Sequence, residues 1–467
     1  MNPLLAVSPI DGRYTEESKK LAPFFSESAL IQYRVFVEIA YFKLLMKTKG
    51  VAPRALTKSE VTLLDEIAHP TLEDCICVQR IERTGYKGIP ATNHDVKAVE
   101  YFIKLKIEQT TLQPLAHFIH FGLTSEDINN CAYALMIRDA LEQVYIPHVE
   151  VVRAELNARA LTYAGLPFLS RTHGQTATPS TFGKEFRVFE SRLSQQLQNL
   201  KRMTINAKLN GATGTYAAHA VAYPKIDWIA FTQKFIDGLN TKKNYILLIP
   251  NLVTTQIEPH DTYAEIFDAC RRINVIALDC AQDMWRYISD GWLVQKKVSG
   301  EIGSSAMPHK VNPIQFENAE GNLGIGNALF THFSTKLPVS RLQRDLSDST
   351  VMRSVGTAFS HSVLAFTSLI KGFSRAEVNT TLVENVLREH VEVIAEALQT
   401  VLKREGISNA YEQLKELTRG ETMTLERIST FIHTLPVSQK VKNELLAITP
   451  VTYIGLAEKI AKSKFKN

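Results

Sequence analysis

The chain has 467 residues, with 53 Lys and Arg against 48 Asp and Glu, a net charge of +5, and a hydrophobic share of 45%. That length and apolar content supply a large core, which excludes wholesale disorder and removes any need for disulfide staples. Acidic and basic residues are interspersed except around Lys459, Lys462, Lys464 and Lys466, so non-specific nucleic-acid and anionic-membrane binding are disfavoured.

The N-terminal segment to Tyr14 has no basic stretch ahead of a long apolar run, so no secretory signal is expected. No stretch approaches the ~20 apolar residues of a membrane helix. Cys75, Cys77, Cys131, Cys270 and Cys280 are odd in number and mostly set among apolar neighbours, which reads as reduced thiols in a cytoplasmic protein. Cys75 and Cys77 alone are too few for a zinc site.

The chain reads as all-α. An N-terminal helical domain (1–113) ends before Pro114, a long-helix central domain spans 114–370, and a C-terminal helical domain covers 371–467. A weak helical pattern runs from Leu141 to Ala164, where Pro147 either kinks the helix or marks its start. Phe186, Phe189, Leu193, Leu197, Leu200 and Met203 form a clearer stripe ending near Gly211. Only Asn244–Ile249 and Asn251–Thr255 look extended. A stripe from Tyr263 through Phe267, Cys270, Asn274, Ala277, Leu278 and Ala281 to Trp285 and Ile288 predicts one long helix. A weaker one spans Ser349–Lys371. So many apolar stripes call for more partner surface than a thin bundle offers, and self-association through the central helices is expected.

Several polar clusters exceed what a bundle needs. There is no phosphate loop G-x-x-x-x-G-K-[ST], no H-E-x-x-H and no G-x-S-x-G. His117 and His120 share a helical face but lack a carboxylate at matching spacing, so a partly buried, hydrogen-bonded pair is preferred to a metal site. The stretch Ser299–Pro313 combines Gly300, Gly303, Ser304, Ser305, His309, Lys310 and Asn312 between Pro308 and Pro313, a loop whose amides, hydroxyls and cation suit a carboxylate. In Ser170–Pro179, His173 sits beside Gly174 among small hydroxyls, placed either to exchange protons or to cap a turn. Thr124 and Asp127 fit a capping box opening a helix, and such a start can also receive a carboxylate. Asn93-His94-Asp95 and Gln256–Asp261 are further polar knots. Arg341, Arg344 and Arg353 lie among serines, as in phosphate or carboxylate capture, or as a charged helix surface balanced by Asp345 and Asp348.

Taken together, these motifs resemble the aspartase/fumarase superfamily of lyases, whose G-S-S-x-M-P-x-K-x-N signature is matched by residues 303–312. Within it the chain is similar to the adenylosuccinate lyase family, on His309, Thr124–Asp127, Thr172–Gln175, Arg341–Asp345, Ser8–Tyr14 and Asn93–Lys97, over nearly its whole length. The resemblance implies a cytoplasmic homotetramer whose central helices merge into one bundle, with sites assembled from three chains. It implies β-elimination of fumarate from adenylosuccinate to give AMP, and likewise from the succinyl-carboxamide ribonucleotide of purine biosynthesis.

The residues alone do not choose between Ser304 and Ser305; by the same resemblance Ser304 is the general base, Ser305 supporting it, and His173 the general acid, with Glu317 orienting the histidine. Thr124, Ser125, Gln256, Lys310 and Asn312 match positions around the succinyl group. Arg13, Tyr14 and the run Ser349, Thr350, Val351, Met352 and Arg353 match the nucleotide side. Asn93, His94, Asp95, Asn318 and Arg344 complete the matched set as contacts. No metal or other cofactor is implied. Thr176 departs from the family pattern, which has proline there, and Gly85–Ala91 and Lys242–Val253 look longer than it. Argininosuccinate lyase is the alternative within the superfamily, but its substrate has no phosphate to use the arginine clusters. A structural protein on this fold would be free to lose Ser304, His173 or Lys310, and all are present.

Overall fold

A computed structural model of the chain describes residues 2–296, 310–409, 412 and 423–463. Helices dominate. Those used below are α1 (Glu27–Leu45), α2 (Leu72–Arg83), α3 (Asp95–Ile107), α4 (Ser125–Ala140), α5 (Ile146–Thr162), α6 (Phe182–Lys201), α7 (Trp228–Gly238), α8 (Asp261–Ser289), α9 (Ile314–Lys336), α10 (Ser347–Met352) and α11 (Val355–Arg375). Short strands pair two by two: β1 (Pro167–Phe168) with β4 (Ser180–Thr181), β2 (Arg171–Thr172) with β3 (Gln175–Thr176), β5 (Thr204–Ala207) with β6 (Leu247–Pro250), and β7 (Leu293–Gln295) with β8 (Ala376–Val378).

The long α8 covers the predicted stripe. Tyr263, Phe267, Cys270, Asn274, Ala277 and Ala281 are buried, but Trp285 is 39% exposed, and Met284 and Tyr287 are buried instead. A straight helix drifts ~20° per heptad against a seven-residue repeat, so after three heptads the inward face has moved to neighbouring positions. The α6 stripe stops at Lys201 rather than near Gly211, because the β-branched Thr204 and Ile205 enter β5, paired in parallel with β6. Of the two segments expected to be extended, the first supplies β6, while Asn251–Thr255 forms no strand. Before Pro147 the chain makes a π turn over Leu141–Tyr145, with Ile146 N–H bonded to Leu141 O, and α5 then begins at Ile146. Proline has no N–H for the helical ladder, which places the irregular turn there. The weak stripe at Ser349–Lys371 is two helices, α10 and α11.

The chain divides into two compact units: residues 1–148, 196–275 and 321–365, and residues 149–195, 276–320 and 366–467. In the first unit, the Tyr41 ring on α1 meets Phe231 and Phe235 of α7 edge-on at 5.7 and 6.1 Å, and Phe267 stacks on Phe330 at 5.8 Å. In the second, Phe168 meets Phe182, Tyr287 and Trp292 edge-on while Tyr287 stacks on Trp292, and a separate core collects Leu387, Ile394, Leu398, Leu402, Ile428, Ile432 and Leu445. All five cysteines are free, and Cys77 is the least buried of them. Among the described residues no helix is long and apolar enough to cross a membrane.

Candidate active site

The first unit gathers most of the expected substrate-side residues. His94 caps α3, its Nδ1 accepting from Lys97 N–H at 3.3 Å, so the neutral ring carries its proton on Nε2, which faces Ser125 Oγ at 3.4 Å. The preceding Asn93 is held at φ 48°, a left-handed conformation rare outside glycine. Asp95 does not point outward as a free contact. Its Oδ2 accepts from Arg34 Nη2 at 2.7 Å and from Arg353 Nη2 at 3.3 Å. Burial opposes ionisation of Asp95, but Arg34, the Val96 N–H and Arg353 together outweigh it and hold its carboxyl below the usual range. Arg353 also reaches Glu27 Oε2 at 2.6 Å, so within the chain this expected phosphate partner is held by two carboxylates. A cavity of about 370 Å³ has Asp11 and Thr15, flanking exposed Arg13 and half-buried Tyr14, in one wall and Arg353 in another.

The capping box at Thr124 forms as expected, opening α4 at Ser125, and Thr124 N–H donates to Asp127 Oδ2 at 2.9 Å. The same carboxylate is the centre of a buried cluster. Its Oδ1 accepts from Lys208 Nζ at 2.7 Å and Asn210 N–H at 3.1 Å, and Gly211 N–H also reaches it. Both charged side chains are wholly buried. Thr124 and Ser125 are thereby fixed from beneath by the segment that leaves β5.

Gln256 precedes a turn in which Glu258 accepts from Asn251 Nδ2 at 3.0 Å and from His260 N–H at 2.7 Å, with His260 at φ 63°. Gln256 Oε1 lies 3.5 Å from Arg344 Nη1. Arg344 Nη2 lies 3.1 Å from Glu126 Oε2 and 3.9 Å from Asp348 Oδ2. Glu126, His260 and Asp348 place ligand atoms within 4.8 Å of one another, a spacing that would suit a metal ion, but the Arg344 guanidinium already supplies their positive charge. Ser349, Thr350, Val351 and Met352 follow on α10, with Met352 buried and Thr350 exposed.

The second unit carries His173 at the tip of the two-residue β2–β3 hairpin. His173 and Gly174 have φ of 53° and 75°, the all-positive pattern of a type I′ turn. Glycine accepts that conformation freely; histidine does so at some cost, and its exposed ring is thereby projected from the tip. Arg171, at the hairpin base, stacks its guanidinium over Trp292 at 5.4 Å. Lys310 is exposed, and Val311 O accepts from Gln295 Nε2 at 2.9 Å. Asn312 is half-buried. On α9, exposed Glu317 accepts from the Trp285 indole at 3.0 Å, and Asn318 Oδ1 accepts from Ser368 Oγ at 2.8 Å. Ser304, Ser305 and His309 lie outside the described residues.

Arg34, Glu126, Lys208 and Asp348 escaped the sequence reading as contributors to the site. Arg34 had a signal, a lone cation among Ile31, Val35 and Val37 of α1, and it is only 2% exposed. Lys208 had none, since a lysine beside Asn-Gly reads as surface. The expected His117 and His120 pair is half right. His120 Nδ1 lies 2.5 Å from Glu38 Oε1, whereas His117 is exposed, because it sits in a short 3₁₀ segment rather than on a shared helical face.

The chain matches two family models, several named relatives and two solved folds. A family model described as Lyase covers residues 12–325, and one described as Adenylosuccinate lyase C-terminal covers 340–454. The chain is 48% identical to the adenylosuccinate lyase of Legionella pneumophila (strain Corby), covering 98% of each chain. It is 47% identical to that of Dictyostelium discoideum (98% of this chain, 97% of the relative) and 45% identical to that of Escherichia coli K12 (98% of each). Two solved structures share the fold. A fumarate lyase from Mesorhizobium sp. BNC1 matches with a TM-score of 0.72 at 18% identity, over 95% of this chain and 96% of that one. The 3-carboxy-cis,cis-muconate lactonizing enzyme from Pseudomonas putida matches with a TM-score of 0.70 at 20% identity, over 95% of each.

Proposed function

The chain belongs to the adenylosuccinate lyase family, and on that premise we propose that it cleaves adenylosuccinate to AMP and fumarate, and the succinyl-carboxamide ribonucleotide of purine biosynthesis likewise. The observation that carries this reading is the 48% identity to a named adenylosuccinate lyase over 98% of both chains.

The reaction removes a proton from the carbon next to a carboxylate, forms the carbon–carbon double bond, and expels the nitrogen with the electron pair of its bond to carbon. The carbanionic intermediate spreads charge onto the carboxylate, so fixed cations and N–H donors must face it. Ser304 takes the proton, activated by loop amides and Lys310 in a water-excluded site, since a free serine is scarcely ionised at neutral pH. His173 gives a proton to the departing nitrogen, a role that an imidazole fills by carrying and releasing a proton at a ring nitrogen. Its exposed place at a left-handed hairpin tip supports that role. Lys310, Asn312, Thr124, Ser125 and Gln256 hold the succinyl group. Arg13, Tyr14 and Ser349–Arg353 hold the nucleotide, Arg353 exchanging Glu27 for the phosphate. Glu317 orients the histidine, and Asn93, His94, Asp95, Asn318 and Arg344 are further substrate contacts.

The same reading makes the protein a cytoplasmic homotetramer with sites completed between chains. Val275 and Trp285 of α8 and Ile325 of α9, 47%, 39% and 50% exposed in the single chain, support burial against further copies.

The test is to add adenylosuccinate to the purified chain and follow the ultraviolet absorbance as AMP forms. Turnover is expected, and its absence would refute the activity; argininosuccinate is the next substrate to offer. Ser304→Ala and His173→Ala should each abolish turnover with the oligomer intact, and retained activity in either removes its role. Light scattering after size exclusion tests the tetramer.

A further inference from the structure

Three segments read as substrate-facing meet at one guanidinium. Arg344 touches Glu126, which directly follows Thr124 and Ser125; Asp348, which directly precedes Ser349; and Gln256. Glu126 and Asp348 are 3% and 6% exposed, and the reaction uses neither. With both ionised, two buried negative charges face one positive charge, and such an uncompensated charge is costly away from water. Uptake of one proton by either carboxylate would remove it. Arg344 Nε and Asp348 Oδ1 have no hydrogen-bond partner among the described residues, so the cluster keeps one donor and one acceptor in reserve.

We propose that Glu126 and Asp348 are positioning residues for Arg344, and that the pair takes up one proton from solvent when an anionic group of the substrate reaches that guanidinium. This rests on the reading of Arg344 as a substrate contact. In the empty site the carboxylates hold and neutralise Arg344. An arriving phosphate or carboxylate oxygen adds negative charge beside them, and a Glu126 oxygen accepts a proton from bulk water, becoming the neutral acid while Arg344 turns its charge to the substrate. No bond to carbon changes. Burial already pushes the Glu126 carboxyl up to about 7, Arg344 opposing and Asp348 adding to the rise. Burial likewise raises Asp348, against Arg344.

The other charged groups facing the pair do not compete for that proton. Burial pushes His260 down to about 4, so it stays neutral near pH 7. Lys208 is held by Asp127 at 2.7 Å. Asp345, bonded to Ser347 and to Arg341 N–H, is held well below the usual carboxylate range and stays ionised.

The experiment measures KM and kcat for adenylosuccinate from pH 6.5 to 8.5 with the full chain and with Glu126→Gln. If substrate raises the carboxyl by one further pKa unit, from about 7, the KM of the unaltered chain climbs about sixfold across that range. In Glu126→Gln it should stay within about twofold, with kcat within about threefold of the unaltered chain. Using one substrate for both proteins cancels the titration of its own phosphate. Parallel KM profiles overturn the inference and leave the activity standing. No turnover by the unaltered chain overturns the activity and this inference with it. An unchanged KM in Arg344→Gln overturns the contact on which it rests. Should Glu126→Gln not fold, Asp348→Asn serves: losing that neighbouring charge should start the KM rise at lower pH, and an unshifted profile overturns the proposal.

Discussion

Replacing Lys208 by Met tests whether the helix start that presents Thr124 and Ser125 is anchored by a buried charge pair. The two side chains, Lys208 and Asp127, are wholly buried with Nζ and Oδ1 2.7 Å apart. Methionine keeps most of the lysine stem, so packing is largely preserved and the loss is that of the ammonium. Breaking a buried pair in this way costs about 3–5 kcal/mol, because the remaining charge is stranded. Asp127 still accepts from Thr124, Asn210 and Gly211 N–H groups, which puts the expected cost near 3 kcal/mol. Asp127→Asn alone should cost a similar amount, since Lys208 Nζ loses its counter-charge and is left with neutral acceptors such as Gly211 O at 3.1 Å. The double variant strands no charge, so it should be little worse than either single one, a coupling of about 2 kcal/mol or more. Urea unfolding followed by far-ultraviolet circular dichroism measures the cycle. A cost under about 1 kcal/mol for Lys208→Met, or additive single effects, would refute the reasoning.

Glu126 makes stability pH-dependent in a definite direction. Its carboxyl rises from 4.5 to about 7 on folding, chiefly through burial, so its favourable share is present below 4.5 and lost as pH rises through 7, on the order of 3 kcal/mol. Melting temperatures of Glu126→Gln should therefore gain on the unaltered chain between pH 5 and 8, and a constant difference would contradict this. Two glycines separate strain from collision. At Gly174, φ is 75° and an added Cβ meets nothing within 4 Å, so Gly174→Ala should cost about 1 kcal/mol or less and act on kcat through the adjacent His173. At Gly214, φ is 77° and the Cβ would lie 2.2 Å from Thr254 O, so Gly214→Ala must move the backbone leading to Gln256. It should lower the melting temperature more than Gly174→Ala and raise KM; equal melting temperatures would count against the collision.

The long helices were legible because burial imposes a periodicity on the sequence, and α8 shows the limit of that rule. The stripe is buried within the chain as far as Ala281, whereas Trp285 further along it is 39% exposed in the single chain, as a straight helix that does not keep a seven-residue step allows. The polar knots were legible as residue types that a bundle does not need. Their partners were not. Asp127 was read as a cap, which it is, but Lys208 stands 81 residues away and nothing local marks it as buried. Arg34 and Asp95 stand 61 apart. Which buried charge meets which is decided by how α1, α3 and α4 pack, and that information is spread over many contacts rather than held in a motif. The left-handed backbone at Asn93 and His173 was equally hidden, since neither side chain requires it.

A common pattern links the expected contact residues to these hidden partners. Ser125 is followed by Glu126, Ser349 is preceded by Asp348, His94 is followed by Asp95, and Thr124 stands three residues before Asp127. In each case a half-buried or exposed residue expected to contact the substrate stands near a carboxylate ion-paired to Arg344, Arg34, Arg353 or Lys208, and one of these carboxylates, Asp95, is itself an expected contact. A side chain on a loop or a helix end is mobile unless its backbone is fixed, and a buried charge-assisted bond one to three residues away fixes it without occupying the pocket. This arrangement explains why the net charge of +5 is silent about an anionic substrate. Four cations of the site region are balanced within the chain by Glu27, Asp95, Glu126, Asp127 and Asp348, so positive charge for the substrate must come from a cation that leaves its carboxylate, from a proton that neutralises one, or from the exposed Arg13 and Lys310. Substituting an anchoring carboxylate should therefore alter substrate affinity even where the carboxylate never touches the substrate.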